Sequence, residues 1–315
     1  MSKIILFGEP MALFIADTYG PLEEVEHFTR SLSGAEVNVC IGLTRLGHQV
    51  TYLTRLGDDP LGRYIINRLK QESIDTKFVT FDNVYRTGIQ LKNKVKKGDA
   101  YAPYYRKGSA FSHISPEVID TVDFTGIKIA HITGIPPALS ESCRKATYRL
   151  IERARENQVA VSFDPNLRPD LWENQEKMID VINDLASKSD IFLPGISEGR
   201  LLSSYEDEDK IADFYHNMGV RAVIIKLGEK GAFVSADGEK YHVSGFKVDK
   251  VVDTVGAGDG FAVGILSGLL EGLSIEEATV RGNAIGALQV MHQSDNEGLP
   301  TREQLNEYIK KNTVS

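Results

Sequence analysis

The chain has 315 residues, 42% of them hydrophobic and 25% charged, with a formal net charge of −8, the balance of a soluble globular protein. The acidic surplus argues against a nucleic-acid partner but leaves room for a local basic pocket that holds a small anion. No apolar run approaches the roughly 20 residues of a membrane span, so no membrane partner and a cytoplasmic location are expected.

The first apolar run, residues 4–7, is too short for the core of a secretory signal and reads as a strand. Further β-type runs follow at 49–53, 127–132, 160–164, 191–193 and 222–226. Helical periodicity occupies 35–46, 61–71, 140–157, 207–218, 259–271 and 275–291. This alternation is the signature of an α/β fold with a mostly parallel sheet, and the continuous apolar strands imply helices on both faces. Cys40 and Cys143 fall within apolar or helical stretches, as reduced core thiols would.

Two segments break the alternation. Residues 11–32 carry Gly20-Pro21 between short apolar runs, and residues 87–106 carry Ile89-Gln90-Leu91, a turn at Lys97-Gly98-Asp99, then Tyr101 to Tyr105. Both read as strands of a small β-sheet protruding from the main body. Lys92, Lys94 and Lys96 alternate along one of them, the pattern of a solvated or edge-protecting face. With no repeat, low-complexity tract or linker, residues 1–315 read as one domain.

The most informative segment is Asp253-Thr254-Val255-Gly256-Ala257-Gly258-Asp259-Gly260, which runs into an apolar helix. A helix start leaves backbone N–H groups unpaired and carries partial positive charge. Gly256 and Gly258 remove the Cβ atoms that would keep a bulky anion away, and Asp259 sets a carboxylate beside it. An anion cradle with an adjacent base suits phosphoryl transfer to an alcohol. Read alone, the turn could equally be an ordinary strand-to-helix connection. Neither the GxxxxGK[ST] loop nor the GxGxxG spacing of dinucleotide sites occurs, which disfavours a nicotinamide dehydrogenase. A second small-residue turn, Ser33-Gly34-Ala35-Glu36-Val37-Asn38, opens the helix at 35–46. Gly34 permits close backbone approach there, and Asn38 offers a donor and an acceptor suited to sugar hydroxyls.

These two motifs, in this order on this alternation, resemble both signatures of the ribokinase-like, or PfkB-type, carbohydrate kinases, and the resemblance covers essentially the whole chain. It implies a central sheet flanked by helices with a β-sheet lid formed by about 11–32 and 87–106. It also implies Mg2+ and ATP as cofactors, with a monovalent cation as a further candidate. Gly256, Ala257 and Gly258 would form the anion hole and Asp259 the catalytic base, with Gly34, Ala35 and Asn38 at the sugar. Lys226, Gly228 and Gly231 would lie beside the nucleotide, as would Asn283. Glu198 resembles the acid of an Asn-x-x-Glu element that orders magnesium through water. Gly195 occupies the asparagine position here, so no direct metal ligand is expected.

The segments Tyr104-Tyr105-Arg106, Asp164-Pro165-Asn166-Leu167-Arg168 and Pro194-Gly195-Ile196-Ser197-Glu198 are similar to those of 2-keto-3-deoxygluconate kinases. A sugar acid needs a cation, and arginine supplies a permanently charged planar fork. Arg106 and Arg168 are the candidates. Arg168, with Asn166, could instead serve ATP phosphates at the end of a core strand, and Arg106 could be an exposed charge or pair with Asp99. Of Tyr104 and Tyr105, only one can face a ligand from a regular strand. Asp295 matches an acid that contacts substrate in this subfamily. Gln90 stands where those kinases commonly place a tyrosine. The expected reaction is ATP-dependent phosphorylation of the terminal hydroxyl of 2-keto-3-deoxygluconate. The alternatives are a fructokinase or other neutral-sugar kinase and, from another class, a non-catalytic sugar sensor. A protruding sheet with apolar positions further suggests a homo-oligomer assembled through the lid.

Overall fold

In the computed structural model the chain is described over residues 3–95 and 100–313. The strands in chain order are β1 (Lys3–Phe7), β2 (Met11–Tyr19), β3 (Phe28–Ser33), β4 (Gln49–Gly57), β5 (Val79–Asp82), β6 (Ile89–Lys94), β7 (Tyr104–Tyr105), β8 (Ile127–Thr133), β9 (Ala160–Asp164), β10 (Ile191–Phe192), β11 (Ala222–Lys226), β12 (Ala232–Ala236) and β13 (Glu239–Val243). The helices are α1 (Ala35–Arg45), α2 (Pro60–Gln71), α3 (Glu117–Asp120), α4 (Ile135–Leu139), α5 (Glu141–Glu156), α6 (Gln175–Ser187), α7 (Ile196–Ser203), α8 (Glu208–Asn217), α9 (Ala257–Leu270), α10 (Ile275–Gln289) and α11 (Arg302–Thr313).

Nine strands form the main sheet in the order β13-β12-β11-β10-β9-β8-β1-β4-β5. All neighbours from β11 to β5 run parallel, and only β12 and β13 are antiparallel. Its strands are apolar on both faces because both are covered. Ile5, Phe7, Val223 and Ile225 pack with α5, α6 and α8 on one side, whereas Ile4, Leu6 and Ile224 pack with α1, α9 and α10 on the other. Cys40 and Cys143 are both buried and free. The chain passes from β1 outward to β4 and β5, then returns to β8 on the other side of β1. Ligands gather in such a reversal, outside the carboxyl ends of the strands.

The remaining strands form a separate four-stranded sheet, β3-β2-β6-β7, from the two segments that break the alternation. Its last strand is only Tyr104–Tyr105, shorter than the 101–105 run anticipated. The expected turn at 97–99 and Lys96 lie outside the described residues. The reading of Lys92 as a solvated edge residue is overturned, because its side chain is buried with 4% exposure. Gln90 and Lys92 share one face of β6, and that face is turned inward.

Two boundaries shift for stated physical reasons. Helix α9 begins at Ala257, two residues before the expected start, because Gly256 caps it with a φ of 79°. Residues 232–243, not anticipated as strands, form a hairpin. Asp237 and Gly238 both have positive φ (52° and 83°), the geometry of a two-residue turn that matches strand twist.

Candidate active site

Asp259 sits third in α9, in the first turn of a 14-residue helix, where the macrodipole favours a carboxylate. It is buried among groups that oppose one another. Burial raises its pKa to about 6, aided by the Asp164 and Asp295 carboxylates and opposed by the Asn38 hydrogen bond and the Arg168 guanidinium. Asn38 donates to Oδ2 at 2.8 Å and Asn166 to Oδ1 at 3.2 Å. Asn38 in turn accepts at Oδ1 from Asn296, 3.1 Å away. The amide that sequence reasoning assigned to a sugar hydroxyl is therefore engaged with the carboxylate on one side and Asn296 on the other.

The cradle before Asp259 depends on close packing. A Cβ on Gly256 would lie 2.3 Å from the Asp295 carbonyl oxygen, and the residue has left-handed backbone geometry, so only glycine fits. The Ala257 N–H donates to Thr254 O at 3.3 Å. Among the described residues, no backbone acceptor takes the N–H groups of Gly258 or Asp259. These two are the donors free for an anion.

Asp259 opens onto a cavity of about 390 Å³. From the main body its wall includes Gly34, Ala35, Asn38, Asn166, Arg168, Glu198, Lys226, Gly256, Gly258 and Asp295. The small sheet supplies Met11, Ser33, Gln90, Lys92 and Tyr104, with Arg106 just beyond its last strand. Tyr105 does not line it and is 62% exposed, so Tyr104 is the inward member of the pair.

Arg106 is 4% exposed, not a free surface charge. Its partner among the described residues is Glu9, which accepts from Nε at 2.7 Å, while Asp99 lies outside those residues. No hydrogen bond among the described residues engages the terminal amino groups of Arg106. Its guanidinium carbon stands 5.6 Å from the Tyr104 ring centre, within cation–π range. Arg168 donates to the carbonyl oxygens of Asn166 and Leu167 at 3.3 and 2.9 Å. Burial would lower its pKa, but Tyr104 and the acids Asp259 and Glu198 hold it above the ordinary value. Two guanidinium groups thus flank Tyr104.

Acids line the rest. Asp295 is 3% exposed. It accepts from Ser33 Oγ at 2.7 Å, and Gln90 Oε1 lies 2.6 Å from the same hydroxyl. Burial raises the Asp295 pKa against the pull of Lys92. Beneath the cavity, Lys226 Nζ reaches Asp164 Oδ2 at 2.7 Å. Burial would lower the Lys226 pKa, but Asp164 and Glu198 hold it above its usual value. Glu198 accepts the N–H of Gly195 at 2.7 Å and of Leu167 at 2.8 Å. Each of its oxygens thus takes one backbone N–H, and no group of three or more potential ligands that could hold a metal occurs among the described residues.

A second, larger cavity of about 880 Å³ shares Lys226, Thr254 and Gly258 with the first. Gly228, Gly231, Ala257 and Asn283 line it, together with Phe246, Val248, Val251, Phe261 and Val290. Asn283 Nδ2 donates to the carbonyl oxygens of Val243 and Ser244, each at 3.1 Å, and so fastens the segment that follows β13.

Sequence reasoning missed Ser33, Lys92, Glu9 and Asn296 as parts of this arrangement. Lys92 had a signal, since it follows Gln90 by two residues in a strand and must share its face. Glu9 had none, because its partner lies 97 residues away.

A family model described as pfkB family carbohydrate kinase matches residues 1–302. The chain is 46% identical to a 2-dehydro-3-deoxygluconokinase of Bacillus subtilis (strain 168) over 306 residues, covering 97% of this chain and 94% of that one. The solved structure of a PfkB protein from Polaromonas sp. JS666 matches with a TM-score of 0.88 at 42% identity, covering 97% of this chain and 99% of that one. A putative ribokinase II from E. coli, solved in complex with ATP and Mg2+, matches with a TM-score of 0.89 at 25% identity over 99% and 100% of the two chains.

Proposed function

This chain belongs to the pfkB family of carbohydrate kinases, and from that premise we propose that it transfers the γ-phosphoryl group of ATP to the terminal hydroxyl of 2-keto-3-deoxygluconate (2-dehydro-3-deoxygluconate). The product is 2-keto-3-deoxy-6-phosphogluconate. One observation carries the reading: a single cavity holds a buried carboxylate at a helix start and two guanidinium groups around Tyr104. A neutral sugar needs the first feature and has no use for the second. The relative named for this substrate supports the same choice.

In this reading the keto acid's carboxylate meets the terminal amino groups of Arg106, whose plane Glu9 fixes through Nε. Arg168 adds a second positive charge. Gln90 and Asp295 face the sugar hydroxyls. Asp259 accepts the proton of the terminal hydroxyl as that oxygen bonds to the γ-phosphorus and the bond to ADP breaks. The free N–H groups of Gly258 and Asp259 stabilise charge on the phosphoryl oxygens. The nucleotide occupies the larger cavity, with Lys226 between the two. The nucleotide phosphates would hold magnesium, which would neutralise their charge, and Glu198 would reach it through water.

The small sheet acts as a lid, since four of its strands contribute to the cavity wall, and closure would exclude water from ATP. The exposed Tyr19, Tyr101 and Tyr105 on and beside that sheet support association of copies through it. No helix among the described residues is long and apolar enough to cross a membrane. ATP consumption measured with 2-keto-3-deoxygluconate, fructose and ribose tests the reading. The keto acid should give the highest kcat/KM, and a higher value with fructose would favour the neutral-sugar kinase.

A further inference from the structure

A lysine ammonium with 4% exposure is costly to bury unless acids surround it. Lys92 meets two, from two different loops. Its Nζ lies 2.6 Å from Asp253 Oδ2 and 3.5 Å from Asp295 Oδ1. Asp253 opens the turn that leads into α9, and its other oxygen accepts the N–H of Val255 at 3.1 Å. One carboxylate therefore holds the turn's backbone with Oδ1 and the small sheet's cation with Oδ2. Asp295 closes the junction from the far side. Its carbonyl packs on Gly256, where a Cβ would come within 2.3 Å, and its carboxylate accepts from Ser33 at the end of β3. The small sheet, the cradle turn and the loop at 294–296 thus meet at one ammonium.

We propose that Lys92 is a positioning residue that locks the anion cradle to the small sheet, so that the 253–258 turn holds its competent geometry only while that sheet is docked. The ammonium acts through Asp253 and Asp295 and takes no proton in the reaction. Without it, two carboxylates with 14% and 5% side-chain exposure face each other unneutralised across a short gap. Each then gains by moving apart or taking up a proton, and either response loosens the turn ahead of Gly258 and Asp259. The arrangement would couple phosphoryl transfer to the docked sheet and limit transfer to water when the sheet is away.

The inference requires phosphoryl transfer at this cavity but no particular sugar. Turnover is therefore read with whichever acceptor the wild-type enzyme uses, and a wild type inert toward the keto acid counts against the proposed substrate alone. The experiment is a double-mutant cycle of Lys92→Met and Asp253→Asn, with kcat, KM for ATP and thermal melting for each variant. Lys92→Met should lower kcat at least about 10-fold while KM for ATP shifts less than about 3-fold. Removing the opposing charge should rescue it, with the double variant within about 3-fold of Asp253→Asn alone. Lys92→Arg, which keeps the charge, should retain more turnover than Lys92→Met. A Lys92→Met enzyme within twofold of wild type, or losses that simply multiply in the double variant, would overturn the assignment. Should Lys92→Met not fold, amide exchange in Asp253→Asn decides the matter. Exchange at Ala257 and Gly260, whose N–H groups donate to Thr254 O and Gly256 O, should speed up by about 10-fold or more, and unchanged exchange there would overturn the proposal.

Discussion

The two adjoining cavities share Lys226, Thr254 and Gly258, yet their walls differ in kind. The smaller is walled by charged and amide side chains brought together from the whole length of the chain, among them Asn38, Gln90, Arg106, Arg168, Asp259 and Asp295. The larger is lined mainly by glycines, alanines, valines and phenylalanines, with Lys226, Glu229, Lys247 and Asn283 among them, from a more compact stretch after residue 225. The difference teaches where specificity resides. A nucleotide common to a whole family can be held by shape, backbone and apolar surface, whereas a particular sugar acid must be matched by individual charges. Substitutions in the smaller cavity should therefore change which molecule reacts and how fast, and those in the larger should change mainly how tightly ATP is held.

Asp259→Asn should have the largest effect. It keeps the shape and removes the base, so turnover should fall at least about 10²-fold with ATP affinity nearly unchanged. The same change should stabilise the fold at neutral pH. A carboxyl raised from 3.8 to about 6 in the folded state contributes its stability below 3.8 and loses it as pH rises through 6, a penalty of about 3 kcal/mol above that range. Chemical denaturation should show the asparagine variant more stable than wild type at pH 8, with the gap narrowing as pH falls toward 4. Near-normal turnover in the variant would remove Asp259 from the mechanism.

The pH profile of kcat/KM sharpens the same point. The reacting form needs an ionised Asp259, so activity should fall about tenfold per pH unit below a midpoint near 6. A limb that stays in place in a variant lacking Asp259 but retaining measurable activity would assign the titration to another group.

Asn283→Ala in the larger cavity should have the smallest effect. Losing its two bonds to the Val243 and Ser244 carbonyls should raise KM for ATP about 2- to 10-fold and leave the preference among sugars unchanged. A changed sugar preference would mean that the two cavities are not separable in this way.

Much of this was legible in the sequence because local physics dictates it. The continuous apolar runs in β1 and β11 announce a sheet covered on both faces, and the Gly256–Gly258 turn announces the start of α9. Some of what was missed was legible too. Helix α6 has Asn174 as its cap and Met178, Val181, Ile182 and Leu185 on one face, and Asp237-Gly238 is a strong hairpin signal. The burial of Lys92 followed from its register with Gln90. The contacts that join distant segments were not legible at all. Glu9 with Arg106, Asn296 with Asn38, and Ser33 with Asp295 are pairs that only the folded chain brings together.

The central claim is that Arg106 grips a carboxylate. Its direct test is kcat/KM for 2-keto-3-deoxygluconate and for fructose in wild type, Arg106→Ala and Arg106→Lys. The alanine variant should lose roughly 2–5 kcal/mol on the keto acid, since a desolvated charge loses its partner, and far less on fructose. The lysine variant should recover only part of that loss, because an ammonium cannot reproduce the bidentate fork. Equal losses on both substrates would contradict the account. Arg106 would then serve the fold through Glu9, and the sugar-acid reading would rest on Arg168 alone.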